Sequence, residues 1–388
     1  MEPVIDLEKE YGVVLEGGGA KGAYQIGAWR ALWEAGVKIR GISGTSVGAL
    51  NGALMCMGDL DLAESVWGSL TYSQVMDVEN EKMKSLMDHD MPFWEALGQV
   101  FQTMGEGGLD VTPLKELLQR VLDEDRIRNS PIELYIKTFR LDQMKELDID
   151  LKQVEPGTMK DFLLASAYIF PLFRNEKLMG ARYIDGGAIN NVPLDSLVNR
   201  GYRDILMIRI YGIGRNKKIR LPEGTDIVTV EPRVSLGNII DFDPVKSRRN
   251  MKIGYYDAKR TIYGLKGRIY YIEENREECY YLKQLLQISP EAAEELQRRR
   301  RGRMEEGTGL RRMMEEILPG LALELRLGRE WDYRDLYLGC LEATARLCRV
   351  PKYRIYTVEE LYNAVKSRLA AMPSRRREEL PAFSLFFQ

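Results

Sequence analysis

Three short stretches carry residue types that could do chemistry. Gly44-Thr45-Ser46-Val47-Gly48 follows a β-branched run through Ile39 and Ile42 and precedes a small-residue helical pattern (Ala49, Leu50, Gly52, Ala53, Leu54). Strand, G-x-S-x-G, helix is the context of a nucleophile elbow, a turn so tight that its flanks must be small. Gly44 and Gly48 meet that demand, and Ser46 would project at the carboxyl edge of a sheet beside a helix N-terminus. The second stretch, Gly17-Gly18-Gly19-Ala20-Lys21-Gly22, comes after the apolar run Tyr11–Leu15. Glycines there leave backbone N–H groups unshielded, an array that binds an anion or a developing oxyanion. The third is Asp185-Gly186-Gly187, after the strand-like Tyr183-Ile184, where two glycines let a carboxylate reach a neighbouring loop. Each stretch alone also reads as an ordinary glycine turn.

A nucleophilic serine needs a base. The chain has one histidine, His89, in the polar run Met87–Met91, and nothing there suggests an approach to Ser46. The base is therefore expected to be a carboxylate. A rival reading comes from Gly17-x-Gly19-x-x-Gly22, which matches a dinucleotide-binding fingerprint. That fingerprint calls for an acidic residue at the end of the second strand, and no Asp or Glu lies between Glu34 and Asp59.

The three motifs, in this order and each after a strand-like run, resemble the patatin-like phospholipases. The resemblance covers roughly residues 8–266. It implies a three-layer α/β/α sandwich with a mostly parallel central sheet and a catalytic dyad of Ser46 and Asp185 without histidine. It further implies an oxyanion hole from Gly17, Gly18 and Gly19, with Lys21 at the family's basic position. Gly44, Gly48, Gly186 and Gly187 would support these groups. The activity implied is hydrolysis of a phospholipid or lysophospholipid ester through an acyl-Ser46. No cofactor and no metal are implied. The alternative is a non-catalytic lipid- or nucleotide-binding protein using the glycine loop.

The remaining elements must position those residues. Residues 8–266 form the first expected domain and 267–388 a mainly helical region of unknown role. Expected strands include Pro131–Thr138, Ile205–Ile210 and Asp226–Val230. Expected helices start at Thr112-Pro113, with Leu114, Leu117, Leu118 and Val121 as the buried face, and at Thr158 through a capping-box-like Thr158–Asp161. Ser166, on that second helix, reads as structural. A closing helix lies within Leu236–Leu265 and packs under the sheet. Between Asp59 and Gly108 a methionine-rich apolar stretch reads either as a helix covering the sheet or as a cap over an acyl-chain pocket, with a hinge at 105–108. Asn190, Asn191 and Pro193 are expected to shape the loop after Asp185.

Bulk numbers narrow the field. The 388 residues are 45% hydrophobic and 29% charged with a net charge of −2, so no whole-chain case for nucleic acid arises. The cysteines (Cys56, Cys279, Cys340, Cys348) have no metal-like spacing and are expected to be reduced and mostly buried. The acidic start lacks a signal-peptide pattern and no apolar run is long enough to span a bilayer, so a cytoplasmic protein is expected. Arg298–Arg303 and Arg375–Arg377 read as solvated helix faces or, alternatively, as peripheral contacts with anionic lipid. The terminal Phe383–Phe387 is apolar enough to dock on protein or membrane.

Overall fold

The computed structural model describes residues 1–87, 95, 98, 109–169, 172, 173, 176–299 and 309–388. His89, the later part of the methionine-rich stretch from residue 88 on (Glu95 and Gly98 apart), its 105–108 hinge and Arg300–Arg303 lie outside the described residues. The chain divides into compact units Glu2–Tyr263 and Gly264–Gln388, Met1 grouping with the second.

In the first unit the apolar and β-branched runs form strands β1 (Glu10–Leu15), β2 (Lys38–Thr45), β3 (Glu133–Arg140), β4 (Lys145–Asp150), β5 (Lys177–Leu178), β6 (Ala181–Asp185), β7 (Asp204–Ile208) and β8 (Asp226–Val230). They join in one mixed sheet. Its parallel part runs β3-β2-β1-β7-β8, while β4, β5 and β6 pair antiparallel. The helices are α1 (Ala23–Glu34), α2 (Val47–Met57), α3 (Leu60–Ser69), α4 (Asn80–Met87), α5 (Thr112–Val121), α6 (Glu124–Asn129), α7 (Met159–Ser166), α8 (Leu194–Val198) and α9 (Pro244–Tyr263).

Side chains alternate between the two faces of a strand, so each face needs its own cover. Leu15, Ile42 and Leu134 face α2, where Gly52 lets the helix settle: a Cβ there would stand 2.9 Å from Leu134 and 3.1 Å from Ile42. Val14, Tyr135 and Ile205 face the other way and pack with Leu197 and Val198 of α8. The result is the three-layer α/β/α sandwich with a largely parallel sheet.

Helices α1 and α9 cross at backbone contact. A Cβ on Gly27 would fall on the Met251 carbonyl, and one on Gly254 on the Tyr24 carbonyl. Two expected helix starts differ in detail. Helix α5 begins at Thr112 itself, whose N–H donates to Asp110 Oδ1 at 2.7 Å, with Val111 in the cap position. Helix α7 begins at Met159 without a capping box, because Thr158 Oγ1 donates to the Glu155 carbonyl instead (2.7 Å).

The second unit is mainly helical: α10 (Glu278–Leu286), α11 (Pro290–Arg299), α12 (Gly309–Arg312), α13 (Leu318–Glu324), α14 (Tyr333–Leu347), α15 (Val358–Ala370) and α16 (Ser374–Glu378). A parallel pair, β9 (Tyr271–Glu273) and β10 (Ile355–Thr357), accompanies them. Its core gathers Tyr281, Leu336, Leu341, Leu361 and Phe387. A capping box forms at α15, with Thr357 N–H on Glu360 at 2.9 Å and Glu360 N–H on Thr357 Oγ1 at 3.1 Å. Phe383, Leu385 and Phe387 are buried in this core, so the apolar terminus docks on its own unit. All four cysteines are free; Cys56, Cys340 and Cys348 are buried and Cys279 is exposed.

Gly27→Ala puts a methyl group into the α1–α9 crossing and is expected to destabilise the protein by about 1–3 kcal/mol in urea unfolding. An unchanged unfolding midpoint would contradict so close a crossing.

Candidate active site

Strand β3 accepts different partners along its length. On one edge it pairs with β4 from Tyr135 to Arg140. Strand β2 pairs with Glu133–Lys137 and β6 with Thr138–Arg140. Both overlap the span held by β4, so both lie along the opposite edge. They approach from opposite directions and end there on consecutive rungs: Thr45 opposite Lys137, and Asp185 opposite Thr138. Ser46, the next residue after Thr45, is therefore brought to Asp185 by strand register alone.

The turn at Ser46 is tight. Ser46 has a φ of 56°, a left-handed conformation unusual for a side chain other than glycine. A Cβ on Gly44 would strike the Gly48 carbonyl group, and one on Gly48 the Leu15 carbonyl. These are the small flanks that the motif requires. Helix α2 starts immediately after Ser46, so its positive end faces the site.

The C-terminal end of α7 fastens both residues. Ser166, fully buried, accepts the Ser46 N–H at 2.9 Å and donates its hydroxyl to the Lys137 carbonyl at 2.7 Å. Two residues on, the Tyr168 carbonyl accepts the Asp185 N–H at 2.8 Å. Ser166 is thus structural, as its helical setting suggests, but its partner is the nucleophile candidate itself. The sequence signal was a small polar residue on an otherwise apolar helix face; its partners are backbone atoms far away in the chain.

Asp185 Oδ1 accepts the Gly187 N–H at 2.6 Å, and the carboxylate also takes a hydrogen bond from the Ser46 side chain. Burial pushes the Asp185 carboxyl up to about 6, against the pull of the Ser46 and Gly187 hydrogen bonds. Part of its surface stays accessible. The glycines beside it permit close approach: a Cβ on Gly186 would lie 2.8 Å from the Lys137 carbonyl carbon, and one on Gly187 2.7 Å from Asn191 Oδ1.

Of the glycine loop, Gly17 differs from expectation. Its N–H donates to the Asn191 carbonyl at 3.1 Å and is not open to a ligand. The Gly18 and Gly19 N–H groups have no acceptor among the described residues. Gly19, at a φ of 54°, also lines the adjoining cavity. Asn191 Nδ2 donates to the Gly17 carbonyl at 3.0 Å, bracing this loop against the one that carries Asp185. Beneath, the buried Glu16 carboxylate accepts the N–H groups of Ile210 (2.7 Å) and Tyr211 (3.0 Å) and pairs with Arg209 at 2.8 Å. Sequence reasoning missed Glu16, which precedes the glycines and looks like an ordinary surface acid. Lys21 Nζ donates to the Tyr211 carbonyl at 2.7 Å and so supports the loop; burial lowers its pKa, partly countered by Glu16. Asn190 Nδ2 donates to Asp195 at 2.8 Å, and its carbonyl accepts the Thr45 hydroxyl at 3.0 Å.

Ser46 and Gly19 sit in the wall of a cavity of about 790 Å³, counting its solvent-open part. The rest of the lining is almost wholly apolar, including Leu50, Leu54, Trp67, Leu118, Phe173 and Ile240. Val75 and Met76, in the described part of the methionine-rich stretch, belong to it. A nucleophile candidate, a raised carboxylate, two open amides and an apolar cavity together suit attack on the carbonyl of a long-chain acyl group.

Residues 13–198 match the family described as Patatin-like phospholipase. The Drosophila melanogaster Neuropathy target esterase sws is 53% identical over 204 residues, 51% of this chain and 13% of that protein. The Caenorhabditis elegans Patatin-like phospholipase domain-containing protein ZK370.4 is 28% identical over 202 residues, 50% of this chain and 13% of that one. Lysophospholipase nte1 of Aspergillus terreus is 56% identical over 46 residues, 12% of this chain and 3% of its own length. Among solved structures, VipD from Legionella pneumophila aligns over 97% of this chain and 90% of its own, at 13% identity and a TM-score of 0.40. The match to the patatin-like phospholipases lies in residues 13–198, the stretch that holds the glycine loop, Ser46 and Asp185. The chain covers about an eighth of the length of the two long curated matches.

Ser166→Ala leaves the Ser46 N–H and the Lys137 carbonyl buried without their partner. A loss of about 1–3 kcal/mol in urea unfolding is expected. Unfolding at the wild-type midpoint would show that Ser166 does not hold the turn.

Proposed function

We propose that this chain is a lipid acyl hydrolase, cleaving carboxylic esters of phospholipids or lysophospholipids through an acyl-Ser46 intermediate. The observation that carries this reading is the meeting of Ser46 and Asp185 on adjacent rungs of β3, at the wall of an apolar cavity. The family match and relatives named as an esterase and a lysophospholipase support it. The assignment concerns the first unit; residues 267–388 are taken as an appended region.

In this mechanism the acyl chain occupies the cavity, where each buried methylene contributes about 0.8 kcal/mol. Asp185 takes the Ser46 proton as Oγ attacks the ester carbonyl. The oxyanion accepts hydrogen bonds from Gly18 and Gly19, strongest in the transition state. As the C–O bond breaks, protonated Asp185 gives its proton to the leaving alcohol. Water then loses a proton to Asp185 and attacks the acyl-serine; the proton returns to Ser46 as the fatty acid departs. A carboxylate is a weak base for a serine, and the raised pKa of Asp185 narrows that gap. Among the described residues no helix is long and apolar enough to cross a membrane, so the substrate would be met from the aqueous side, with membrane contact peripheral.

The test is hydrolysis of a medium-chain p-nitrophenyl ester and of a lysophospholipid. Ser46→Ala and Asp185→Asn are each expected to lower kcat on the order of 10⁴-fold or more. Asp185→Asn should unfold no more easily than wild type at pH 8, because it removes a buried charge. Turnover surviving in Ser46→Ala would refute the mechanism.

The base must be ionised to act, so wild-type kcat/KM should fall as pH drops through about 6. A profile flat from pH 7 down to pH 4.5 would exclude Asp185 as the base.

A further inference from the structure

The loop that follows β7 is built into the candidate site, yet the mechanism does not use it. Tyr211 N–H donates to Glu16 and its carbonyl accepts Lys21 Nζ. Gly212 lies against the glycine loop so closely that a Cβ there would stand 2.8 Å from Gly18 Cα. Arg215 N–H donates to the Gly187 carbonyl at 2.9 Å, and the Arg215 carbonyl accepts the Asn191 N–H at 2.6 Å. The segment therefore leaves the site pinned by backbone bonds to both the glycine loop and the Asp185 loop.

Beyond those bonds its side chains face outward. Tyr211, Ile213 and Leu221 are 49%, 46% and 43% exposed, three large apolar groups gathered in one loop. Between them stand exposed Arg215, Lys217, Lys218 and Arg220, against a single acid, Glu223, before the next strand. Lys217 is paired with Glu146 (3.3 Å) and Asp195 (3.2 Å). Arg215, Lys218 and Arg220 have no ion pair among the described residues. The Tyr211 hydroxyl contacts Glu231. The basic clusters singled out from the sequence are different: Arg298 pairs with Glu295, Arg375 with Glu379, and the terminal Phe383 and Phe387 are buried.

Exposed apolar side chains interleaved with unpaired cations suit one surface in particular. Apolar groups enter the headgroup boundary while cations meet anionic headgroups. We propose that residues 211–221 form the docking surface for an anionic phospholipid bilayer, holding the glycine loop and the Ser46–Asp185 pair at the interface. The proposal rests on the lipid-hydrolase reading for its purpose, but its binding step can be tested apart from catalysis.

The full chain is sedimented with phosphatidylcholine vesicles and with vesicles also containing phosphatidylserine, and assayed separately on a water-soluble ester. Wild type should bind the phosphatidylserine vesicles more tightly, and less so as salt is raised. Lys218→Gln with Arg220→Gln should weaken that binding about 30-fold, given roughly fivefold for each cation. Leu221→Ser should weaken it in vesicles of either composition. Both variants should hydrolyse the soluble ester as wild type does and lose activity on vesicle lipid. Equal binding to both vesicle types, or wild-type binding by the double variant, would overturn the proposal. Vesicle binding through this loop without hydrolysis of any ester would instead uphold the docking surface and sink the hydrolase reading.

Discussion

The site depends on one constraint: a single edge of β3 is shared, end to end, by a parallel and an antiparallel neighbour. Because β2 stops opposite Lys137 and β6 stops opposite Thr138, the chain leaves two adjacent backbone positions at a break in the sheet. Everything placed at those ends is close by construction. A one-residue slip of either strand would turn its side chains to the opposite face. Register is secured by packing on both faces, with Ile42 and Leu134 under α2 and Val14 and Tyr135 under α8.

The break has to be stabilised. A non-glycine residue in the left-handed region costs on the order of 1–3 kcal/mol and persists only when its surroundings over-determine it. At Ser46 they do so through Ser166, which ties the turn to the same Lys137 carbonyl that marks the end of the β2–β3 ladder. The following residues carry the constraint onward. Tyr168 holds the Asp185 backbone, while Ala167 and Ile169 line the cavity. One short segment thus contacts the nucleophile candidate, its carboxylate and the space for an acyl chain.

The fold was legible in the sequence wherever local chemistry dictates it. Glycines at 44 and 48 announce a tight elbow, the Gly17–Gly19 run announces bare amides, and apolar runs announce parallel strands. Contacts between distant segments were not legible. Nothing local tells that Ser166 meets Ser46, that Glu16 braces the glycine loop, or that the Gly17 N–H is taken by Asn191, because each bond joins residues that only the sheet topology brings together. The antiparallel β4 and β5 were also missed. Strand β4, in Lys145–Asp150, is charged and only half-buried, and β5 has two residues, so neither carries an apolar period. Thr158 looked like a cap, but its hydroxyl found a nearer carbonyl at Glu155.

The most direct measurement of the central claim is a crystal structure of the protein after reaction with a long-chain fluorophosphonate, which mimics the tetrahedral acyl-transfer intermediate. The account predicts phosphorus bonded to Ser46 Oγ, the phosphonyl oxygen accepting from the Gly18 and Gly19 N–H groups, and the alkyl chain among Leu54, Trp67 and Leu118. An adduct on any other residue, or a phosphonyl oxygen turned away from those two amides, would contradict it.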